Sequence, residues 1–307
     1  MIVFISSGHK PDDERIYFKQ IQSLIKAGYI IQYFTHWFNS VDLTSHNLTH
    51  INLERNQYSK HQYIDFILKK ISFVKVIHIH EFDLLSIAKK IKKKYNAKII
   101  YDVHEDLTSM WDTFSNKPKL IKNFINFGLS CFELFHLRYI DLIILANKFA
   151  NQQRYYKYAP IYIIENFPQN KFFLNENIET DMVYRIIYHG QLDYSRGILE
   201  LIEAFKILLK KFSNIQLTII GKARTPQFEQ EIIDRINTEK IILLNEVKHE
   251  QIWEYLHKAH LGVIPFHDVS MYSKNTPTKL FEYMASKCAI VATKLKPIYS
   301  YSDNSII

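Results

Sequence analysis

Apolar residues along this chain recur in two registers. Short β-branched runs read as strands: "IVFIS", "IIQYFT", "VIHIH", "KIIYDV" and "LIILA" in the first half, with "IYIIENF" closing it, then "RIIYHG", "QLTIIG", "IILLNE", "LGVIPF" and "AIVAT" in the second. Helical patterns lie between them. The clearest is "RGILELIEAFKILLKKF", where Ile198, Leu201, Ile202, Phe205, Leu208, Leu209 and Phe212 make one stripe. Strands that are apolar throughout and separated by helices indicate parallel sheets covered on both faces. A polar, Asn-rich stretch over 168–184 has no periodicity and reads as a connection between the halves. The expected fold is therefore α/β with two Rossmann-like domains, residues 1–168 and 185–307, joined by a linker over 169–184.

The two halves open alike. "IVFISSG" ends in Gly8 and Arg15 then begins an amphipathic helix; "RIIYHG" ends in Gly190 and Arg196 and Gly197 begin another. The chain has only seven glycines, and Gly8, Gly190, Gly197 and Gly221 all fall where a strand ends or a helix begins. Ligands of open α/β sheets bind beyond the carboxyl ends of strands, where glycine lets backbone N–H groups approach a phosphate. Such glycines also serve merely to turn the chain. Neither half has a full GxGxxG, which argues against an NAD enzyme.

Composition narrows the picture. An apolar fraction of 47% supports real cores. Cys131 and Cys288 are the two cysteines, far apart, and give neither a disulfide framework nor a CxxC clip; both read as core thiols in a reducing compartment. The start lacks the basic region and long apolar run of a signal peptide, and no uncharged apolar stretch is long enough to span a membrane. The net charge of +8 suits anionic partners or simple solubility. Its dispersal over "KKIKKK" and "LLKKF" argues against nucleic acid.

The stretch "NTPTKLFEYMASKCAIVAT", 275–293, holds one acid, Glu282, in an otherwise apolar helix. Thr276 fits an N-cap and Pro277 the first helical position, so the helix's free N–H groups make a seat for an anion. Thr278, Lys279 and Glu282 share a face. Long helical side chains lean toward the N-terminus, so Glu282 aims at that seat. Beside a diphosphate a carboxylate needs a neutral partner with two donors, such as a ribose diol. A local Glu282–Lys279 pair explains it equally well.

This stretch resembles the donor-site motif of retaining glycosyltransferase family 4, enzymes of the two-domain GT-B fold. "SSGHKPDDERIYFKQIQSLIKAGY" resembles the family's glycine loop and first helix, "YDVHEDL" its acceptor-side histidine segment, and "IIENFP" the end of its N-terminal domain. "YHGQLDYSRGILELIEAF" and "LTIIGKA" resemble the start of its donor domain. The resemblance implies two Rossmann-like domains facing a cleft, an acceptor on the first and a nucleotide-diphosphate sugar on the second. It implies retention of configuration by same-face attack, with the leaving diphosphate helping to take the acceptor proton. Arg196 falls where the family carries a diphosphate-binding Lys, and Glu282 matches its ribose-binding Glu. The backbone of Thr276, Pro277 and Thr278, with Lys279, Gly190 and Gln191, falls at the diphosphate. His104 falls at the transferred sugar, and Gly8 and His9 lie over diphosphate and sugar.

Two positions depart from the family. Gln191 replaces an Arg, and Lys274 replaces a second Glu, which leaves the donor sugar open. The family also continues past "AIVAT" with further strand and helices, so the second domain is expected to be incomplete at its C-terminus, with no helix crossing back. No Asp-x-Asp occurs, so no metal or other cofactor is expected. A site from His78 and His80, which share a strand face, with Glu81, His104, Glu105 and Asp106 is the competing arrangement. Residues 117–139 mix Phe, Leu and Ile with Lys117, Lys119, Lys122 and Arg138; they suit either a helix packed on its sheet, which periodicity favours, or an anionic membrane surface. The expected function is transfer of a sugar to a glycan or lipid-linked acceptor in surface polysaccharide synthesis, in the cytoplasm at the inner face of the membrane. The rivals are a sugar-nucleotide epimerase, for which no carboxylate set is evident, and a catalytically silent nucleotide-sugar-binding or assembly protein, which Gln191 and Lys274 favour.

Overall fold

The computed structural model describes residues 1–39, 41–104, 107–115, 117–173 and 182–301. It divides into two compact units, Met1–Asn166 and Phe167–Ile307. Glu105 and Asp106, and 174–181 of the expected connection, lie outside the described residues.

The first unit is a seven-stranded parallel sheet. Its strands are β1 (Ile2–Ser6), β2 (Ile31–Thr35), β3 (Leu48–Asn52), β4 (Val76–Ile79), β5 (Lys98–Val103), β6 (Leu142–Leu145) and β7 (Ile161–Ile163), in the order β3-β2-β1-β4-β5-β6-β7. Period-2 alternation splits the core between the two faces. Val3 and Ile5 pack with Ile77, Ile79, Leu84 and Leu137 on one side, while Phe4 meets Ile16, Ile21 and Tyr33 on the other. β3 was not among the expected strands: beyond buried Leu48 its residues are exposed or half-buried, so "LTHIN" carries no apolar run. The order reverses between β1 and β4, the switch point where parallel sheets leave room for a ligand.

The second unit is a five-stranded parallel sheet of β8 (Tyr184–His189), β9 (Ile215–Ile220), β10 (Ile241–Leu244), β11 (Leu261–Ile264) and β12 (Ala289–Ala292), ordered β10-β9-β8-β11-β12. Its switch point lies between β8 and β11. The helix Ile198–Leu209 buries Ile198, Leu201, Ile202 and Phe205 as its stripe requires, but Leu208 and Phe212 are exposed because the helix ends at Leu209. Residues ahead of β8 also belong here: Phe172 stacks on Trp253 with ring centroids 4.6 Å apart.

Helix Thr278–Ala285 connects β11 to β12. It is seated by Tyr283, whose hydroxyl lies 3.3 Å from the Ile187 carbonyl and 3.4 Å from that of Val263. The ring crosses β11 at Gly262, where a Cβ would come within 2.4 Å of it. Gly262→Ala should therefore lift the ring and its helix, at about 1–3 kcal/mol, the usual cost of overpacking a filled site. Urea unfolding checks this; an unchanged midpoint would show that the helix does not depend on this close approach.

Candidate functional site

In the second unit β8 delivers Gly190 to the switch point with φ +110°, a left-handed conformation that glycine alone adopts without strain. The missing side chain leaves room for two cations. A Cβ at Gly190 would lie 3.3 Å from Lys279 Nζ and 3.7 Å from Arg196 Nη1. Arg196 closes the short turn Tyr194–Arg196 that leads through Gly197 into helix Ile198–Leu209. The sequence suggests an exposed loop residue; instead its side chain is largely buried, because its guanidinium carbon lies 5.2 Å from the centre of the Phe266 ring and 5.8 Å from that of Tyr272. Its Nε lies 3.6 Å from Asp193 Oδ2.

Lys279 is buried, its ammonium 3.9 Å from the centre of the Tyr188 ring and 4.8 Å from that of Phe266. Cation–π attraction offsets part of the cost of burying it. Burial pushes its pKa well below the lysine range, the Arg196 charge pushes the same way, and Glu282 and Asp193 oppose them. Arg196 Nε, Thr276 Oγ1 and Lys279 Nζ are all buried and without a hydrogen-bond partner among the described residues. Buried polar atoms are ordinarily satisfied, so these three atoms, with Asp193 Oδ2 likewise without a hydrogen bond, point to a polar ligand.

Glu282 lies one turn beyond Lys279, its Oε2 3.3 Å from Nε2 of His189. The carboxylate is buried, not solvated; its charge acts on Lys279, and it lies beside His189 at the end of β8, a residue that sequence reasoning missed. The helix itself starts at Thr278. Pro277 is the flanking residue, extended at φ −69° and ψ 130°, and the Thr276 hydroxyl does not cap. Gln191 is exposed and contributes its carbonyl, which accepts from the Tyr188 hydroxyl at 2.9 Å. Tyr188, His189, Asp193, Phe266 and Tyr272 were all missed; only the alternation along β8 and its glycine end could have drawn attention to the first two.

In the first unit Glu81, just past β4, gathers the loop after β1. Its Oε1 accepts from Ser6 Oγ at 2.7 Å and from Gly8 N at 2.8 Å, and lies 2.7 Å from His9 Nδ1. Burial would raise its pKa, but the His9 and Ser6 contacts outweigh that and hold it low. The Gly8 N–H is thus engaged by an internal carboxylate rather than held open for a phosphate. The His9 ring lies 4.4 Å from that of His104, and His104 Nε2 is 3.1 Å from His80 Nδ1 and 3.6 Å from Asp102 Oδ2. Gly8, His9 and His104 are therefore brought together, as are the residues around Gly190 within the second unit.

His78, His80 and Asp102 offer ligand atoms within 4.8 Å of one another, which is metal-like spacing. The cation there is instead Arg15. Its Nε and Nη2 grip the two Asp102 oxygens at 3.1 and 2.9 Å, Gln20 adds a bond at 2.5 Å, and Nη1 donates to the Ile164 carbonyl. A metal would have to displace a bidentate guanidinium. Among the described residues the expected role of Glu81 as a ligand is not met either, since it serves the loop. Cys131, expected in the core, is exposed, and Cys288 is buried.

Residues 170–302, within the second unit, match the family model described as "Glycosyl transferases group 1". No curated protein matches the chain. Solved structures are similar over nearly its whole length. A sucrose-phosphate synthase from Thermosynechococcus elongatus is 16% identical with a TM-score of 0.70, covering 96% of this chain and 81% of the other. The structure described as "Trehalose-6-phosphate from E. coli bound with UDP-2-fluoro glucose" is 14% identical with a TM-score of 0.67, covering 97% and 85%. A trehalose-phosphate synthase (UDP-forming) from Burkholderia xenovorans in complex with glucose-6-phosphate is 12% identical with a TM-score of 0.66, covering 100% and 88%. At these identities the likeness establishes the fold, the two-sheet α/β architecture of GT-B glycosyltransferase structures.

The buried histidines make the first unit acid-sensitive. Burial pushes His78 down to about 4, with Asp102 pulling the other way, and His80 shifts in the same direction. The unfolded chain, titrating near 6.5, therefore binds protons that the folded chain refuses. Stability should be fully present above about pH 6.5 and fall by about 3 kcal/mol for His78 alone as pH drops to about 4. Urea midpoints between pH 7.5 and 4.5 measure the slope. It should flatten in His78→Leu; an equal slope in both proteins would contradict the assignment.

Proposed function

We propose that this protein is a retaining glycosyltransferase that moves a sugar from a nucleotide-diphosphate sugar to a glycan or lipid-linked acceptor in surface polysaccharide synthesis. The observation that carries the reading is the pair of cations, Arg196 and Lys279, converging over Gly190 at the switch point of a parallel sheet, within the stretch that matches a glycosyltransferase family model. The cationic site and the carboxylate one turn further along fit the two ends of a nucleoside diphosphate. Arg196 and Lys279 take the diphosphate oxygens, and Glu282, oriented by His189, takes the ribose hydroxyls. The E. coli neighbour bound with UDP-2-fluoro glucose and the Burkholderia neighbour with glucose-6-phosphate support donor and acceptor of these classes.

In this reading the bond from the anomeric carbon to the diphosphate oxygen breaks and one to the acceptor oxygen forms on the same face. The acceptor proton passes to the departing diphosphate. Charge grows on the diphosphate as it leaves, so two preorganised cations in a low-dielectric pocket supply the stabilisation. Together with the missing Asp-x-Asp, they make a metal-independent transfer the proposed mode. In this reading His104, beside His9 and with its pKa lowered by burial, donates to or accepts from a sugar hydroxyl.

Lys279 separates this function from mere structure. In Lys279→Met a buried ammonium without a hydrogen bond becomes an apolar side chain of similar length. The melting temperature should hold or rise, while affinity for UDP or GDP falls by about 10- to 150-fold, the value of one charge-assisted hydrogen bond. Arg196→Ala should cut turnover by ~100-fold or more, and excess EDTA should leave wild-type turnover in place. Thermal-shift titration and a transfer assay with both nucleotides check this. Undiminished nucleotide binding in Lys279→Met, or turnover abolished by EDTA and restored by Mg²⁺, would overturn the corresponding assignment.

A further inference from the structure

Helix Lys119–Leu137 of the first unit does not bury its apolar face over its full length. Its C-terminal half is anchored in the core by Phe132, Leu134 and Leu137, with Phe132 5.0 Å from Phe82. Its N-terminal half stands clear of the core. Leu120 is 83% exposed, Phe124 78% and Phe127 69%, and Cys131 and Phe135 are exposed too. These five positions are spaced 4, 3, 4 and 4 residues apart and fall within about 80° of one another around the helix. They form one continuous stripe, not scattered surface residues. A stripe of this size marks an interaction surface.

Its charge says what kind of surface. Over 117–139 the basic residues are Lys117, Lys119, Lys122 and Arg138. The single acid, Glu133, is buried and paired with Arg154. Lys117 and Lys119 are exposed at one end of the stripe, and Arg138, stacked 4.2 Å over Phe135, marks the other. Two copies facing through this stripe would bring cation against cation in either orientation. An anionic bilayer surface offers the reverse: headgroup charge for the lysines and acyl chains for the phenylalanines. No helix among the described residues is long and apolar enough to cross a membrane. We infer that this helix lies in the surface of an anionic lipid bilayer, with Leu120, Phe124 and Phe127 inserted and Lys117 and Lys119 at the headgroups. The inference does not depend on the transferase reading, because vesicle binding requires no turnover.

Sedimentation with vesicles tests it, using phosphatidylcholine alone and phosphatidylcholine with about one third phosphatidylglycerol. The full chain should bind the mixed vesicles, bind pure phosphatidylcholine at least tenfold more weakly, and be released by salt. Phe124→Ser/Phe127→Ser should lose tenfold or more of that binding with an unchanged circular dichroism spectrum, since both side chains are exposed. Lys117→Glu/Lys119→Glu should do the same. Phe73→Ser, which removes a 96%-exposed phenylalanine outside the stripe, should bind as wild type does. Equal binding to both vesicles, undiminished binding by the Phe124/Phe127 variant, or a wild-type dimer that this variant dissociates would overturn the inference.

Discussion

A lysine ammonium buried without a hydrogen bond is the constraint on which the second unit's site depends. Taking a charge out of water costs several kcal/mol unless something answers it, and Lys279 has the faces of Tyr188 and Phe266 and the nearby charges of Glu282 and Asp193, but no hydrogen bond among the described residues. Arg196 beside it makes the cost larger. The surroundings keep both cations in place. Tyr283 clamps the helix that carries Lys279 to β8 and β11, Gly262 makes space for that clamp, and Gly190 leaves the volume between the two cations open. A fold tuned for stability alone would place an apolar side chain at 279. Retaining the lysine makes sense if a polyanion pays the electrostatic cost when it binds.

The first unit solves the opposite problem. Its buried carboxylate, Asp102, is fully answered by Arg15 and Gln20, and burial is outweighed so strongly that its pKa falls to about 2. Around that pair His78, His80 and His104 are kept neutral by burial, and the loop from Ser6 to His9 is pinned on Glu81. Both of these carboxylates are thus answered from within, Asp102 by Arg15 and Gln20 and Glu81 by Ser6, Gly8 and His9. The second unit differs in that its buried Lys279 ammonium has no such hydrogen-bonded answer among the described residues.

Much of this was legible in the sequence because strands buried on both faces must be apolar throughout. The second sheet's strands and most of the first's follow from that alone. "LTHIN" escaped because an edge strand need not be apolar. Helix 119–137 was legible as a helix, but periodicity cannot tell which apolar stripe the core covers, so the exposed one and Cys131 were misplaced. Arg196, Lys279 and Glu282 were singled out through local motifs. Their surroundings were not, because Arg15 and Asp102 are 87 residues apart, and His189 meets Glu282 only once β8 and the helix after β11 are side by side. Contacts between distant segments leave no periodic trace in a single sequence.

The central claim, that the buried ammonium exists to meet a diphosphate, has a direct calorimetric signature. Burial holds Lys279 well below the usual lysine range in the free protein, and an anion against it would raise that pKa again. Titration of UDP and GDP at a series of pH values from about 7.5 to 8.5, where the diphosphate itself is fully ionised, in buffers of different ionisation enthalpy measures protons exchanged on binding. The account predicts net proton uptake with the cognate nucleotide, absent in Lys279→Met. Binding that takes up no proton, or takes up the same amount in the methionine variant, would contradict it.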